Sequence, residues 1–311
     1  MIRWGKTPAV GQLPHRGWRK PGLPAAIRSA ARLIATPMPD RLYCSLRYLA
    51  LHGRLPDIDR ALRFSEKLQW RKLYDRNPLF PLLTDKLACK RFVASRIGAD
   101  HVVPTLWSGT DLRAVDWTSI LFPAVIKPAH ASGLVSLLRD RGDAEAFRAA
   151  GTAERWLRID HSLVNREWAY GSVPPRLMIE PACLAAGRLP ADHRFHMFGG
   201  QLSHIEVDFE RDGRWSYAYR GPGWAPLAVH DPDARGHFSG DLPPPPSLGA
   251  MMEAAMRLSE DIDYVRVDFL VADDRAFVGE LTVYPAAGFE RFDPPSFDLE
   301  LGALWRLPQG S

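Results

Sequence analysis

The sequence predicts an α+β fold, in which amphipathic helices accompany antiparallel strands. Residues 264–283 alternate apolar and polar side chains around a turn, and residues 192–198 alternate in the same way before two glycines. This period of two is typical of strands, whereas apolar side chains about one helical turn apart predict helices. The predicted helices cover residues 61–77, 84–98, 141–159 and 247–262. With 311 residues, 46% of them hydrophobic, the chain can form a large core in two packed subdomains.

The chain begins with a basic segment. Asp40 is its first acidic residue, and the cations before it are Arg3, Lys6, Arg16, Arg19, Lys20, Arg28 and Arg32. This segment accounts for much of the net charge of +4 and the pI near 9.0. Interspersed prolines favour a flexible, solvated extension, with a helical pattern over residues 25–52 that breaks at Pro37 and Pro39. Peripheral contact with an anionic membrane is the alternative, and no nucleic-acid partner is expected.

Two predicted helices follow the extension. In the first, the apolar stripe faces the core and ends before Pro78; it consists of Leu62, Leu68, Trp70 and Leu73. In the second, Thr84 is predicted to cap the N-terminus and Gly98 ends the helix. Asp85 in the first turn suits the helix dipole, which alone explains its presence.

A lysine follows a short buried strand in the segment FPAVIKPAHASG, residues 122–133. Lys127 needs an anionic partner or a route to solvent, because burying an unpaired ammonium group is costly. His130, Ser132 and Gly133 come directly after it and offer donors to a phosphate group. The GxxxxGK[ST] pattern is absent, so this is not a Walker A motif. Phosphate binding and a lysine that merely reaches solvent both remain open.

Two further segments carry polar side chains on predicted strands. Glu180 ends the apolar strand RLMIEPAC, where it can accept hydrogen bonds from an adenine or a ribose; a solvent-facing strand end is the alternative. In ADHRFHMFGG, Asp192, Arg194 and His196 alternate with apolar positions and form a polar face. Structural roles for His193 and His196 are favoured over metal binding, because no third potential ligand follows at a spacing typical of a metal site.

Residues 206–246 are rich in Gly, Pro and aromatic residues and are predicted to form a long loop or insertion. The aromatic side chains in it suit stacking on a sugar or a base, and a packed aromatic cluster is the favoured alternative. They include Trp215, Tyr217, Tyr219 and Trp224.

The hairpin at residues 264–289 carries the strongest chemical pattern. A three-residue loop, Asp273-Asp274-Arg275, would place Asp268 directly opposite Glu280 on the polar face. Two facing carboxylates repel each other unless a cation lies between them. With Thr282 beside them, these hard oxygen ligands suit Mg²⁺ that carries substrate phosphates. The alternative is a surface hairpin in which Arg266 pairs with both carboxylates.

Cysteine usage and hydropathy indicate a cytoplasmic location. The three cysteines, Cys44, Cys89 and Cys183, are far apart and lack the spacing of a disulfide framework or a zinc site. No apolar run approaches the roughly 20 residues of a membrane span. The first residues, MIRWGKTPAV, lack the apolar core of a secretory signal.

The order of these segments resembles the TupA-like branch of the ATP-grasp superfamily, which is associated with bacterial cell-surface polysaccharide and teichuronopeptide synthesis. The matching motifs include LQWRKLYDRNPL, REWAY, VRVDF and GELTVYPAAGF. In this sequence the motifs occupy residues 67–79, 84–91, 125–133, 166–170, 177–181, 192–198, 265–269 and 279–289. The resemblance as a whole covers about 240 residues, from Leu62 to Pro308.

The resemblance implies an ATP-grasp fold, with an antiparallel sheet and a smaller lid that clamp ATP. It implies that Lys127 binds ATP phosphates with the following loop, that Glu180 lies at the adenine and ribose, and that Asp268 and Glu280 hold Mg²⁺. Thr282 replaces the asparagine usual in the superfamily, and Arg194 stands where the family has lysine, next to Asp192 on the nucleotide side. The implied domains are the extension 1–60, a helical part 61–120, a lid 121–182 and a C-terminal subdomain 183–311.

The implied reaction activates a carboxylate with ATP and joins it to an amine, with a polysaccharide precursor as the family-level acceptor. Arg266 and Arg291 are the cations available to hold the acceptor carboxylate. Two alternatives are open: a metal-dependent glycosyltransferase that uses Asp268 and Glu280, and a catalytically inactive nucleotide-binding module.

Overall fold

The protein contains two antiparallel sheets and a set of short helices. The computed structural model describes residues 38–185, 187–234, 236–272 and 275–308. The helices are α1 (Asp40–His52), α2 (Phe64–Leu73), α3 (Leu79–Thr84), α4 (Lys86–Ile97), α5 (Arg141–Ala149), α6 (Thr152–Leu157), α7 (His161–Asn165), α8 (Leu248–Ser259) and α9 (Ser296–Leu304). The strands are β1 (Trp107–Gly109), β2 (Ala124–Pro128), β3 (Ser136–Leu138), β4 (Leu177–Pro181), β5 (Ala191–Phe198), β6 (Gln201–Arg211), β7 (Arg214–Arg220), β8 (Tyr264–Ala272) and β9 (Arg275–Thr282). Residues 1–37 of the predicted basic extension lie outside the described residues.

The first sheet has the strand order β1-β4-β2-β3. Its apolar face packs against α5 and α6, where Phe147 and Trp156 are buried. Val125 pairs with Glu180 and Lys127 with Met178, so Lys127 and Glu180 share the other face as diagonal neighbours. Apart from β1, this sheet lies within residues 121–182, the segment predicted to form a lid.

The second sheet has the strand order β7-β6-β5-β8-β9. Its apolar face includes Phe195, Val267 and Phe269, which pack with side chains of α3, α4 and α8 in one core. Over one end of its polar face lie α2 and α9, which bury Phe64 and Trp305. The predicted turn at Gly199-Gly200 is confirmed, because β5 ends at Phe198 and β6 begins at Gln201.

The prediction of a long loop at residues 206–246 is wrong for its first part. β6 continues to Arg211 and β7 runs from Arg214, so these residues form a hairpin. The Asp212-Gly213 pair between the two strands is a strong hairpin signal, which the Gly and Pro content of the following residues obscured. Tyr217 and Tyr219 are buried, which confirms the packed-cluster alternative for them.

The helix ends also differ from the prediction in detail. The N-cap of α4 is Asp85 and not Thr84, because the Asp85 carboxylate accepts a hydrogen bond from the Leu87 amide at 2.9 Å. Ser247 is the N-cap of α8, but its side chain makes no capping hydrogen bond. Leu62, predicted to lie in the core stripe, precedes α2 and is exposed. Across the described ranges, no helix is long and apolar enough to span a bilayer.

A buried histidine on the apolar face of the second sheet makes stability depend on pH. Burial lowers the pKa of His193 to about 4, and its ring stacks on Trp224. Below the ordinary histidine pKa, near 6.5, the unfolded chain binds a proton that the folded protein excludes, so stability falls as pH falls towards 4. From pH 7.5 to 5, we expect His193 alone to lower the free energy of unfolding by about 2 kcal/mol.

Urea denaturation of wild type and His193→Leu at both pH values measures this effect. The variant should lose less stability than wild type on acidification, while His101→Leu, in a short surface turn, should behave as wild type. Equal acid sensitivity in wild type and His193→Leu would contradict the assignment.

Candidate active site

The two hairpin carboxylates lie face to face, as the sequence predicted. Asp268 pairs with Glu280 and Arg266 with Thr282. The pairing of Asp268 with Glu280 does not come from the predicted three-residue loop, because Ala272 pairs with Arg275. It comes from a shift in register between Asp268 and Phe269. An extra residue in β9, Gly279, forms this bulge and turns Glu280 onto the polar face.

Arg266 lies between these carboxylates. Its guanidinium contacts Asp268 at 2.5 and 2.7 Å and lies 3.7 Å from Glu280. The Thr282 hydroxyl donates a hydrogen bond to Glu280 at 2.9 Å. The pairing of Arg266 with both carboxylates is therefore present, as the alternative interpretation required, but Arg266 and Asp268 are largely buried, unlike an ordinary surface ion pair.

The electrostatics of the pair are asymmetric. Burial raises the pKa of Asp268, and the Glu280 carboxylate adds to this rise while Arg266 opposes it. Burial also disfavours ionisation of Glu280, but Lys86 and Arg266 outweigh it and hold the pKa of Glu280 low. The Lys86 charge near Glu280 is thus one cause of the asymmetry.

The first sheet contributes a second charged cluster around Glu180. Lys127 Nζ lies 2.5 Å from one Glu180 oxygen, and Lys90 from α4 contacts the other. Burial alone would raise the pKa of Glu180, but the two lysines outweigh it and lower that pKa. Lys127 thus has the anionic partner that the sequence required, and the cluster carries one net positive charge.

Lys86 connects the two sheets. Its ammonium group donates to the carbonyl oxygen of Ala131 in the lid at 2.8 Å and lies 3.8 Å from Glu280 Oε2 in the hairpin. Burial lowers the pKa of Lys86, although the Glu280 charge opposes that shift. Lys86 and Lys90, one turn apart in α4, therefore link this helix to the hairpin carboxylates and to the cluster around Glu180.

The predicted phosphate loop after Lys127 divides into two parts. The His130 ring is buried, with Nε2 3.2 Å from the Trp156 carbonyl and Nδ1 accepting from the Arg176 amide at 3.3 Å. Both ring nitrogens are therefore engaged with backbone groups, and phosphate binding by His130 stays a prediction. Ser132 and Gly133 follow, and Gly133 has a φ of 73° that favours glycine.

Arg194 extends the charged row along the second sheet. It contacts Asp192 at 2.7 Å, Glu206 at 2.9 Å and Asp208 at 2.9 Å. Arg194 also pairs in register with Asp268. Asp192 and Arg194 are therefore adjacent to the hairpin carboxylates on one polar face, and their role in nucleotide binding stays a prediction.

Arg291 is held away from this row. It forms a two-pronged ion pair with Asp233, at 2.8 and 2.9 Å. The structure therefore explains Arg291 by a local ion pair, and Arg266 is the better placed of the two arginines predicted to hold an acceptor.

The loop before Arg291, Pro285–Gly288, has left-handed backbone at Ala286 and Ala287. Lys72 holds this loop, because its ammonium group donates to the Ala287 carbonyl at 2.9 Å.

Sequence reasoning gave no functional role to Lys86, Lys90, Glu167 or Glu206. Lys86 and Lys90 are one turn apart in α4, and this spacing was the feature of the sequence that could have predicted a shared cationic face. Glu167 lies 3.7 Å from His161, and burial raises its pKa to about 7. These residues look like ordinary helix or loop charges until the two sheets are brought together.

The residues present fit a magnesium nucleotide. Five carboxylates on the polar face, those of Asp192, Glu206, Asp208, Asp268 and Glu280, face two guanidinium groups. Within the part of the chain that is described, no three His, Cys, Asp or Glu side chains form a closed metal site. Mg²⁺ is commonly held by one or two carboxylates plus substrate phosphates, so Asp268 and Glu280 would hold it and Lys127 and Lys90 would bind phosphate.

Two antiparallel sheets, one with a strand lysine and the other with a carboxylate hairpin, are the arrangement expected of an ATP-grasp protein. The model of the TupA-like ATP-grasp family matches residues 66–306. The chain belongs to this family. No curated protein matches the chain.

Solved structures show distant similarity. D-alanine–D-alanine ligase from Helicobacter pylori is 17% identical, with 73% of this chain and 62% of that chain covered and a TM-score of 0.42. D-alanine–D-alanine ligase from Bacillus anthracis, in complex with ATP, is 16% identical, with coverages of 65% and 55% and a TM-score of 0.39. N5-carboxyaminoimidazole ribonucleotide synthetase from Thermus thermophilus is 14% identical, with coverages of 67% and 47% and a TM-score of 0.39. This chain thus spans 47–62% of these three proteins.

Proposed function

We propose that the protein is an ATP- and magnesium-dependent ligase that joins a carboxylate to an amine. The observation that carries the proposal is the placement of Lys86 between the lid and the hairpin. The lysines on one side of Lys86 suit phosphates, and the carboxylates on the other side suit the metal that accompanies them. A nucleotide triphosphate would complement both sides at once.

The chemistry proceeds in two steps. A carboxylate oxygen of the first substrate attacks the γ-phosphorus of ATP, the bond to the β-γ bridging oxygen breaks, and ADP leaves. The amine then attacks the acyl carbon of the acylphosphate, inorganic phosphate leaves, and the amine nitrogen loses a proton as the amide forms. Bound Mg²⁺ would supply charge neutralisation on the phosphates.

The chain's own residues have separate tasks in this proposal. Lys127 and Lys90 bind the transferring end of the nucleotide, and Glu180 keeps both ammonium groups charged and in place. Asp268 and Glu280 would hold Mg²⁺, and the guanidinium of Arg266 beside them would hold the acceptor carboxylate. The family association with cell-surface polysaccharides suggests an acidic sugar or an amino acid on a polymer precursor as the acceptor.

A glycosyltransferase is the second candidate, because Asp268 and Glu280 could hold a metal on a nucleotide-sugar diphosphate. The buried Lys127–Glu180–Lys90 cluster would have no assigned task in that reaction. The ligase therefore accounts for more of the charged residues that the fold brings together.

Hydroxylamine trapping tests the ligase. With ATP, Mg²⁺, a uronic acid or amino acid and hydroxylamine, an acylphosphate would yield a hydroxamate and ADP in equal amounts. We expect this product with at least one carboxylate in the panel, and none without Mg²⁺. ADP in no mixture would contradict the ligase, and sugar transfer from a UDP-sugar would establish the glycosyltransferase instead.

A further inference from the structure

Glu167 is a buried carboxylate without a close charged partner. The residue is only 4% exposed. Among the described residues, the only Lys, Arg or His side chain within ion-pair distance of it is His161, whose Nε2 lies 3.7 Å away. Burial lowers the pKa of His161 to about 4, so this ring is neutral near pH 7. Buried charges are ordinarily paired, and Glu167 therefore lacks the counterion that such a carboxylate usually has.

The nearest cations are engaged with other groups. The Lys72 ammonium donates to the backbone carbonyls of Asn165 and Ala287, at 3.1 and 2.9 Å. Arg47 donates to the Asn165 side chain. Both charges lower the pKa of Glu167, but burial outweighs them and raises that pKa to about 7. A carboxylate that titrates near neutral pH can take up a proton and release it again.

The segment before Glu167 lies beside the loop that follows the hairpin, Pro285–Gly288. The Lys72 ammonium joins the two, because one of its carbonyl partners belongs to Asn165 and the other to this loop. The Glu280 charge also raises the pKa of Glu167, as expected of two carboxylates that are close enough to repel each other.

The segment after Glu167 lies beside α4 and the predicted phosphate loop. The Thr84 hydroxyl donates to the Ala169 carbonyl at 3.4 Å, and Thr84 directly precedes the N-cap of α4. The Tyr170 hydroxyl forms a side-chain hydrogen bond with Ser132 of the phosphate loop. Glu167 is therefore held in a segment that contacts the end of the hairpin on one side and the phosphate loop on the other.

We propose that Glu167 binds the amine substrate as an ammonium ion and is the general base of the amide-forming step. Its carboxylate accepts one proton from the ammonium nitrogen, and the neutral amine attacks the acyl carbon of the acylphosphate. The bond from that carbon to the phosphate oxygen breaks, and the nitrogen passes its second proton to the departing phosphate. Glu167 then releases its proton to solvent. This inference rests on the proposed ligase and adds to it the residue that prepares the amine.

Two kinds of nucleophile separate this role from the rest of the reaction. A primary amine, with a pKa close to the value of about 10.4 for lysine, is almost fully protonated at neutral pH and needs a base. Hydroxylamine is a much weaker base, so it is already neutral at that pH. We expect Glu167→Gln to lower amide formation from ethanolamine, glycine or lysine by about 100-fold or more. Hydroxamate formation in the same variant should stay close to that of wild type.

The pH dependence gives a second readout. In wild type, amide formation should rise through about pH 7, because Glu167 acts as a base only when it is deprotonated. In Glu167→Gln this rise should be absent, and only the ionisation of the amine itself should remain. Within the described ranges, the charged and titratable groups that face Glu167 include Lys72, Arg47, His161, Glu280, Tyr170 and Tyr284. A rise near pH 7 that survives in Glu167→Gln would belong to one of these groups and would overturn the assignment.

Two further variants serve as controls. Glu145→Gln, at an exposed glutamate of α5, makes the same chemical change elsewhere and should behave as wild type. Glu167→Asp keeps the carboxylate on a shorter side chain, so it should recover part of the amide formation together with the rise near pH 7. Circular dichroism and thermal unfolding should show that both Glu167 variants fold.

Three other results would overturn the assignment. Equal loss of amide and hydroxamate formation in Glu167→Gln would give the residue a structural role. Wild-type amide formation in that variant would show that another group is the base. Hydroxamate formation by wild type without amide formation from any of the three amines would show that no base at this site serves an ammonium ion. Absence of hydroxamate from wild type would instead contradict the ligase itself, so the two failures are distinguishable.

Discussion

Asp268→Asn and Glu280→Gln should each reduce magnesium-dependent ADP formation by about 10²–10³-fold, because each removes a charged ligand of the Mg²⁺ that would neutralise the transferring phosphates. Either change preserves side-chain shape and leaves Arg266 the other carboxylate as a partner, since its guanidinium lies 2.5 Å from Asp268 and 3.7 Å from Glu280. We therefore expect thermal unfolding close to that of wild type. The measurement is ADP release with a carboxylate that supports hydroxamate formation, at several Mg²⁺ concentrations.

The matched control is Asp212→Asn in the β6–β7 connection, where the carboxylate is 91% exposed. It makes the same chemical change away from the polar face and should retain wild-type activity. Full activity in both Asp268→Asn and Glu280→Gln would show that the hairpin is not the metal site. Loss of activity together with a large fall in melting temperature would instead assign the pair a structural role.

Lys127→Met should lower kcat/KM for ATP by roughly 100-fold, since a charge-assisted contact with phosphate contributes about 1.5–3 kcal/mol. Glu180 keeps Lys90 as a partner in this variant, so the carboxylate is not left without a counterion. Lys127→Arg should recover only part of the loss, because the guanidinium is larger and planar.

Steady-state kinetics with varied ATP measures the effect, and Arg214→Met, at an exposed arginine, serves as the control for loss of a cation. Lys90→Met should resemble Lys127→Met if both ammonium groups bind the nucleotide. An unchanged KM and kcat in Lys127→Met would assign the lysine to the structural ion pair with Glu180 alone.

The sequence predicted the polar face of the hairpin because strand periodicity is local. Alternation places Arg266 and Asp268 on one face of β8, and it places Glu280 and Thr282 on one face of β9. The loop length was predicted wrongly, since a three-residue loop and a two-residue connection with a bulge at Gly279 give the same pairing of Asp268 with Glu280. Register arguments alone do not distinguish these two routes.

Long-range contacts were not predictable in the same way. Lys86 and Lys90 have the spacing of ordinary helix charges, and only the approach of the two sheets gives them partners in Glu280 and Glu180. His130 shows the reverse case, because its position after Lys127 suggested a phosphate donor, whereas the lid buries its ring against the backbone of Trp156. Motif order nevertheless identified the family, since it depends on many positions and not on one contact.

Nucleotide binding tests the assignment of the site most directly, because it requires no knowledge of the acceptor. Thermal unfolding should be measured with ATP, ADP and a UDP-sugar, each with and without Mg²⁺, on wild type, Asp268→Asn and Lys127→Met. ATP at 100 times its dissociation constant should stabilise wild type by about 2.7 kcal/mol, with Mg²⁺ strengthening the effect and both variants weakening it. Stabilisation by the UDP-sugar but not by ATP, or no stabilisation by any nucleotide, would contradict an ATP site between the two sheets.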